Sequence, residues 1–284
     1  MVNRLFKGSK IGRGYTPIAH PGNSELKHIE YGVLFLPEKG EEYVDETGSR
    51  EAVIVIFNGK FKIVIDCPSQ RVHDEFIGGR NDVFSDKPVA IYLPRETAFR
   101  IVALSPMLEM GISKAQSDFD YPPAIVKASD VAERTVGAWN WRRKIRLPVV
   151  DNVKACKLLV GETLNPPGNW SSVPPHKHDS EGPNEVPLEE VYFFKFKPIQ
   201  GFGFQRIYTP QDDEDPFDEV YVIENNDTVV LPRGYHPVVS APGYQLYYLW
   251  ILAGDKRIYG AWSDDPRHMW LRDCEPIINN ILGY

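Results

Sequence analysis

The chain has 284 residues, of which 42% are hydrophobic and 25% are charged, and its formal net charge is −7. A chain of this size can bury one or two hydrophobic cores. The acidic balance argues against a nucleic-acid partner, because nucleic-acid-binding proteins carry a basic surface. No apolar run reaches the roughly 20 residues that a membrane-spanning helix needs. Three scattered cysteines without a CxxC pair are typical of reduced thiols, so we expect a cytoplasmic protein.

Strand-like segments follow one another along the chain. They are rich in Val, Ile, Tyr and Phe and are bounded by Pro, Gly, Asn and Asp. Asn58-Gly59, between two apolar runs, predicts a hairpin turn. The segment "KASDVAERTV" predicts a short helix. The sequence therefore predicts an all-β protein, a sandwich or a barrel, with few short helices. The segments in chain order are "YGVLFL", "EAVIVIFNGKFKIVI", "VAIYL", "FRIVAL", "CKLLVGETL", "EEVYFFKF", "GFGFQRIYT", "EVYVI", "DTVVLP" and "YQLYYLWILAG".

The two halves of the chain repeat the same order of elements. "REAVIVIFNGKFKIVI" has the plan of "EEVYFFKFKPIQGFGFQRIYT", and "YLPRETAFRIV" aligns with "VLPRGYHPVV". This register pairs Glu51 with Glu190 and Ala98 with His236. We predict one barrel over residues 1–120, a linker over residues 121–150 and a second barrel over residues 151–284.

Four polar residues of the second half have the pattern of a metal site. His176 and His178 lie two positions apart, so on a strand both point to one face. Glu190 directly precedes the run "VYFF", and His236 lies in "PRGYHPV". An isolated HxH is common in solvated loops, but the joint pattern indicates a divalent metal. Zn²⁺ is our first choice, with Mn, Fe or Ni as alternatives, and Glu189 is the alternative carboxylate.

The first half lacks this pattern. No HxH precedes Glu51, and Ala98 stands where the second half has a histidine. We therefore expect the first barrel to lack a metal site and to serve packing, an interface or a lid.

These motifs resemble those of cupins, and the duplicated chain resembles a bicupin with two β-barrel or jelly-roll domains. Longer segments closely resemble the 5-deoxy-glucuronate isomerase family of myo-inositol catabolism. The resemblance implies an aldose–ketose isomerase that converts 5-deoxy-D-glucuronate into 5-dehydro-2-deoxy-D-gluconate. Trp250 and the segment "GAWNWRRKIRLP" depart from the family pattern and leave another deoxy-uronate open as substrate. The segments that carry the resemblance are "GNWSSVPPHKHD", "LEEVYFF", "GFGFQRIYT", "VLPRGYHPVVSAPGYQLYYL" and "DDPRHMW".

Such an isomerisation passes through a cis-enediol and needs a group that carries a proton between C2 and C1. The sequence leaves several candidates for this group. They are a hydroxide on the metal, Glu189, Tyr192 and Tyr248.

The substrate carboxylate calls for a fixed cation. Arg206 in "FQRIYT" is the first choice, since a guanidinium binds a carboxylate through a bidentate fork. Gln205 competes with it, because the two residues alternate on the strand and the inward face is not known. Lys177 ranks lower, since a regular strand turns it away from the two neighbouring histidines.

Two other functions stay open. One is an Fe-dependent cupin dioxygenase with the same ligands, and the other is a non-catalytic sugar-acid binder. A dioxygenase would need an apolar pocket for an aromatic substrate, whereas the Arg, Gln and Tyr residues near the ligands favour a polar sugar acid. The expected partner is therefore a small sugar acid rather than nucleic acid or a membrane. The aromatic content also suggests a homo-oligomer.

Overall fold

The computed structural model describes residues 3–8, 11–67 and 72–283, with residues 72 and 73 described by their backbone alone. Across these residues β-strands dominate, with short 3₁₀ helices at Ala128–Asp130 and Trp139–Trp141 and one α-helix, α1 (Trp270–Leu282). The strands up to the middle of the chain are β1 (Leu5–Phe6), β2 (Gly14–Ala19), β3 (Glu30–Leu36), β4 (Glu42–Glu46), β5 (Arg50–Cys67), β6 (Val72–Arg80), β7 (Ala90–Leu93), β8 (Ala98–Ala103), β9 (Leu108–Gln116), β10 (Ala124–Val126) and β11 (Ala132–Val136). The later strands are β12 (Arg143–Val149), β13 (Leu159–Asn165), β14 (Trp170–Ser171), β15 (His176–Lys177), β16 (Glu189–Lys197), β17 (Phe202–Tyr208), β18 (Asp218–Glu224), β19 (Thr228–Leu231), β20 (Val238–Ser240), β21 (Gln245–Ala253) and β22 (Ser263–Asp264).

Two large sheets and two small ones connect the strands that the structure describes. The first sheet has the main order β10-β7-β5-β9-β3-β2, and β4, β6 and β8 join it through β5 and β8. The second large sheet has the order β1-β19-β16-β21-β13-β12-β11. The small sheets are β14-β20-β17-β18 and β15-β22. The predicted linker over residues 121–150 thus contributes strands to both large sheets, and the domain limits stay a prediction.

Alternation along the strands divides the apolar side chains among three cores. On β16, Val191 and Phe193 pack in a core shared by the two large sheets, where the ring of Phe57 stacks on that of Phe193 with centroids 5.1 Å apart. Tyr192 and Phe194 point the other way, into the core between the second large sheet and β17, β18 and β20. The third core fills the interior of the first barrel. Period-two alternation on a strand with two covered faces produces this division.

The strand register identifies the counterpart of Glu190 in the first half. Glu190 pairs with Leu231 across β16 and β19, and Ala52 pairs with Leu93 across β5 and β7. Both leucines precede the dipeptide Pro-Arg of the repeated motif. Ala52 therefore occupies the position of Glu190, so the predicted pairing of Glu190 with Glu51 is wrong by one residue. Ala52 is buried in the core of the first barrel, where it supplies a methyl group in place of a carboxylate.

Two carboxylates join the halves in a reciprocal way. Glu51, at the start of β5, accepts hydrogen bonds of 2.6–2.7 Å from the backbone N–H groups of residues 156–158. Glu189, at the start of β16, accepts hydrogen bonds of 2.6–2.7 Å from the N–H groups of residues 27–29. The carboxylate of each half thus satisfies backbone N–H groups in a loop of the other half. Glu189 is the counterpart of Glu51, in agreement with the strand register.

A buried ion pair adds to this junction. The guanidinium of Arg80 donates hydrogen bonds of 2.6 and 2.9 Å to the carboxylate of Glu162, and both side chains are fully buried. The hydroxyl of Tyr247 donates to the same carboxylate at 2.7 Å. A buried charge is tolerated when it is paired in this way.

Local structure differs from the predictions in three places. Asn58-Gly59 does not form a hairpin, because β5 runs through it as one long strand with an irregularity after Ile56 and a positive φ of 98° at Gly59. "KASDVAERTV" forms a 3₁₀ turn followed by strand β11 rather than a helix. The sequence did not predict α1. No helix in the described part of the chain is long and apolar enough to cross a membrane.

Candidate metal centre and active-site cavity

A cavity of about 270 Å³ lies in the second barrel, between strands of the second large sheet and the loops that close one end. Its volume is near the lower limit of small-molecule sites. The lining combines acidic, basic, hydroxyl and aromatic side chains, which suits a small polar ligand. The lining residues are Val136, Gly137, Arg143, Ile145, Thr163, Ser171, Ser172, Val173, His176, His178, Glu190, Tyr192, Tyr248, Trp250, Leu252, Tyr259, Trp262, Arg272 and Glu275.

Three predicted metal ligands lie close together, and two of them, His178 and Glu190, line this cavity. His178, Glu190 and His236 are buried, and each offers a ligand atom within 4.8 Å of the other two. The Glu190 carboxylate lies 3.1 Å from Nε2 of His178 and 3.3 Å from Nε2 of His236. Glu190 reaches the site because it shares a strand face with Tyr192, as the alternation predicts. Two imidazoles and a carboxylate are a donor set that binds divalent transition metals.

The backbone fixes the tautomer of these histidines. Nδ1 of His178 lies 2.7 Å from the carbonyl oxygen of Leu188, and Nδ1 of His236 lies 2.9 Å from that of Gly234. A carbonyl only accepts, so Nδ1 carries the proton and Nε2 presents its lone pair to the site. Nε2 of His236 is buried and makes no hydrogen bond to the described residues. A buried acceptor without a donor fits a metal ion.

His176 lies beside this group rather than within it. Its ring centroid is 4.9 Å from that of His236 and 5.2 Å from that of Trp262. Its Nδ1 is 3.3 Å from the carbonyl oxygen of Pro174. The structure thus brings His176 to the cavity wall, while its donor atoms lie outside the close group of three.

Electrostatics keep two of the histidines neutral. Burial lowers the pKa of His176 well below its ordinary value, and the charges of His236 and His178 lower it further. Burial also lowers the pKa of His236. For His178 burial again disfavours the charge, but the hydrogen bond that the protonated imidazole donates to the Glu190 carboxylate, together with the charge of that carboxylate, outweighs burial, so the pKa of His178 is raised. Neutral imidazole is the form that binds a metal.

Two tyrosines line the cavity next to the metal-ligand group. The hydroxyl of Tyr192 is 3.1 Å from Oγ of Ser172, and that of Tyr248 is hydrogen-bonded to Oγ of Ser171. The two tyrosine rings are 4.5 Å apart. Burial raises the pKa of both tyrosines, and for Tyr192 the charge of Glu190 adds to the effect. Both hydroxyls therefore keep their protons at neutral pH. The predicted catalytic residues Tyr192 and Tyr248 thus lie in the site.

Glu189 does not reach the cavity. Its carboxylate is occupied by the N–H groups of residues 27–29, because Glu189 shares the strand face of Val191 rather than that of Tyr192. The structure therefore offers no contact through which Glu189 could act as the base.

The three predicted substrate-binding residues do not line the cavity. Arg206 lies on the outer face of β17 and forms an ion pair with Asp218 at 2.6 Å. Gln205 points inward, but its amide donates at 2.8 Å to the carbonyl oxygen of His236, so it supports that ligand's backbone. Lys177 turns outward, as expected, and pairs with Glu185 at 2.9 Å.

Sequence reasoning missed several residues of the cavity, among them Arg143, Arg272 and Glu275. The sequence did contain a sign that Arg143 points inward. Arg143, Ile145 and Leu147 share one face of β12, and the two apolar residues pack in the core of the second barrel. Arg272 and Glu275 lie on α1, whose existence was not predicted.

Trp250 points into the cavity and stacks on Tyr259, with ring centroids 5.8 Å apart. Gly161 makes room for it, because a Cβ at this position would lie 2.0 Å from the indole. This pair explains why Trp250 fits on a buried strand, and it places an aromatic surface at the wall of the site.

The chain is similar to proteins of known family over most of its length. Residues 7–271 match the model of the KduI/IolB family. The 5-deoxy-glucuronate isomerase of Geobacillus thermodenitrificans is 38% identical over 257 residues, which cover 90% of this chain and 90% of that protein. The enzyme of the same name from Bacillus subtilis strain 168 is 36% identical over 252 residues, covering 88% and 89% of the two chains.

Solved structures support the fold. An IolB-like protein from Salmonella typhimurium LT2 superposes with a TM-score of 0.86 at 29% identity, covering 95% of this chain and 99% of that one. The oxalate decarboxylase of Lactobacillus farciminis superposes with a TM-score of 0.68 at 12% identity, covering 100% and 94%, which shows a shared fold alone. The predicted all-β bicupin fold is thereby confirmed.

Proposed function

The chain belongs to the KduI/IolB family, and we propose that it is a metal-dependent isomerase that converts 5-deoxy-D-glucuronate into 5-dehydro-2-deoxy-D-gluconate in inositol catabolism. The observation that carries the proposal is the convergence of His178, Glu190 and His236 beside a small polar cavity, which the first two of them line. The two relatives described above are both named 5-deoxy-glucuronate isomerase, which supports the choice of substrate.

The residues of the site fit a divalent cation. His178, Glu190 and His236 would hold it, with His176 beside them as a fourth donor. When bound, such an ion supplies a Lewis acid that stabilises negative charge on the carbonyl and hydroxyl oxygens of the substrate. Zn²⁺ is the first choice, since imidazole and carboxylate donors suit it, and Mn, Fe and Ni are the alternatives.

The hydroxyls of the cavity suit the oxygen protons of the reaction. During the isomerisation the proton on O2 is lost and O1 gains one, through a cis-enediol. Tyr192 and Tyr248 keep their protons because burial raises their pKa. Each can donate to a substrate oxygen while accepting from its serine partner, Ser172 or Ser171. In this proposal the two tyrosine–serine pairs move the oxygen protons.

The proposal is tested with purified protein and 5-deoxy-D-glucuronate in deuterated water. Isomerisation followed by NMR, with solvent deuterium appearing at C1 or C2, is expected for the metal-loaded protein and not after chelation. Oxygen consumption in place of isomerisation would instead identify a dioxygenase. Full turnover in the chelated protein would refute the metal-dependent mechanism.

Adjacent carboxylates provide a matched pair of variants. Loss of a residue that only hydrogen-bonds to a metal ligand weakens metal binding by roughly 10- to 100-fold. Glu190→Gln removes a ligand itself, so we expect it to weaken metal binding by at least this factor and to lower turnover accordingly. Glu189→Gln should retain one metal ion per chain, because its carboxylate faces the first barrel. Equal metal content in both variants, measured by elemental analysis, would contradict the assigned ligand set.

A further inference from the structure

The cavity contains a cation that lacks a counter-ion. Arg143 lines the cavity, and within the described part of the chain it forms no ion pair. Its Nη1 donates at 3.0 Å to the carbonyl oxygen of Trp141, while its Nε is buried and makes no hydrogen bond to any residue that the structure describes. Burial lowers the pKa of Arg143 from its ordinary value, which reflects a charge held away from water. A guanidinium nevertheless stays protonated in proteins.

The free edge of this guanidinium has the geometry for a carboxylate. With Nη1 engaged, Nε and Nη2 remain, and their N–H groups point in parallel. Other arginines of this chain bind carboxylates through the same edge. Arg206 donates from Nε and Nη2 to Asp218 at 2.8 and 2.6 Å, and Arg95 donates likewise to Asp120 at 2.8 and 2.7 Å.

The surrounding chain holds Arg143 in this position. Arg143 is the first residue of β12 and lies on its inward face. Its Nη1 lies close to Gly137, since a Cβ built on Gly137 would be 2.8 Å from Nη1. Gly137 has a φ of +80° and donates its N–H to Glu275 at 3.0 Å. The Glu275 carboxylate thus accepts from Gly137 and is not an ion-pair partner of Arg143. Arg272, the other arginine of the lining, is already paired with Asp264.

A partly buried guanidinium without a counter-ion, whose Nε is fully buried, is costly unless a partner arrives. We infer that Arg143 is the receptor for the carboxylate of the substrate, which it binds through Nε and Nη2 while the aldehyde end lies at the metal-ligand group. This inference rests on the proposed function for the identity of the sugar acid. Arg143 then determines the preference for an acid over a neutral sugar.

The test compares an acid with its neutral analogue. Turnover and calorimetric binding are measured for 5-deoxy-D-glucuronate and for 5-deoxy-D-glucose, in which a hydroxymethyl group replaces the carboxylate. Arg143→Gln is expected to lower kcat/KM for the acid by roughly 10²- to 10³-fold, because a two-pronged charged hydrogen bond is lost. The value for the neutral sugar should stay within about threefold.

Two further variants separate recognition from folding. Arg143→Lys keeps the charge without the fork, so it should recover part of the preference for the acid. Arg206→Gln, which removes an exposed guanidinium outside the cavity, should leave both substrates unaffected. An equal loss for both sugars in Arg143→Gln, or no loss for the acid, would overturn the inference.

Binding distinguishes this inference from the proposed function. A wild-type protein that binds the acid in preference to the neutral sugar, loses the preference in Arg143→Gln and isomerises neither would uphold the receptor and refute the isomerase. A wild-type protein without any preference for the acid, in binding or in turnover, would refute the receptor.

Discussion

Removal of the Glu189 carboxylate provides a strict test of how the two barrels are joined. In Glu189→Ala the N–H groups of residues 27–29 lose their acceptor. Ile29 is fully buried, so its N–H would be left without a partner. Lys27 is exposed, so water can replace the acceptor of its N–H.

The expected magnitude follows from these contacts. An unsatisfied buried N–H costs about 1–3 kcal/mol, and each of the other two bonds contributes about 0.5–1.5 kcal/mol. Glu189→Ala should therefore lower the free energy of unfolding by about 2–6 kcal/mol, which corresponds to a fall in Tm of roughly 4–24 °C. Glu189→Gln keeps one acceptor oxygen and should lose about half as much.

Urea titration followed by circular dichroism measures these differences. Glu46→Ala is the control, because Glu46 is an exposed strand glutamate whose side chain has no ion pair with the described residues. Its loss should stay below about 0.5 kcal/mol. If Glu189→Ala unfolds within about 1 kcal/mol of the wild type, the three hydrogen bonds do not stabilise the junction as inferred.

Three other perturbations have expected outcomes. Burial opposes the charge of Asp265, but hydrogen bonds, the largest from Arg267, lower its pKa from 3.8 to about 2. This adds about 2 kcal/mol of stability above pH 4 that is lost as the pH falls towards 2. In Asp265→Asn the free energy of unfolding should therefore fall less steeply between pH 4 and pH 2 than in the wild type. The same fall in both proteins would contradict this. Gly161→Ala should lower the free energy of unfolding by about 1–3 kcal/mol because its Cβ displaces the Trp250 indole. In a double variant that also truncates Trp250, denaturant titration should show a smaller effect of Gly161→Ala. Strictly additive losses of stability would argue against the clash. Glu162→Gln should lower stability by about 3–5 kcal/mol because it leaves a buried guanidinium unpaired, and a calorimetric loss below 1 kcal/mol would disprove that account.

The position of Glu190 directly before the apolar run "VYFF" was the reason for preferring it over its neighbour Glu189 as a metal ligand. The run after Glu190 is apolar on both faces, yet period two places Glu190 with Tyr192 and Glu189 with Val191. The all-β class could be predicted from the recurrence of segments rich in Val, Ile, Tyr and Phe, and Tyr192 and Tyr248 from their place on strands near the metal ligands. The spacing of HxH, Glu and the later histidine supplied the rest.

Local signals failed where the partners of a segment lie far away. Asn58-Gly59 has the composition of a hairpin turn, but residues before it pair with β9 and residues after it pair with β6 and β8. The strand therefore passes from one group of strands to another and bends at Gly59 without reversing. A sequence motif cannot indicate which of these two outcomes the tertiary contacts select.

The cation of the cavity illustrates a different limit. Arg206 and Arg143 both lie on strands with alternating neighbours, and the sequence does not show which face of β17 is covered. The structure places Gln205 inward and Arg206 outward. For Arg143 the neighbours Ile145 and Leu147 did indicate the inward face, but no motif marked the segment as part of the site.

The pairing of β1 with β19 has a consequence for synthesis on the ribosome. Leu5 and Phe6 pair with Val229 and Thr228, which are translated more than 200 positions later. At roughly 5–20 residues per second, this partner emerges on the order of 10–45 s after β1 itself. Until then the edge of β19 does not exist, so Leu5 and Phe6 have no strand to join. These early residues of the nascent chain are thus among the last to reach their native position.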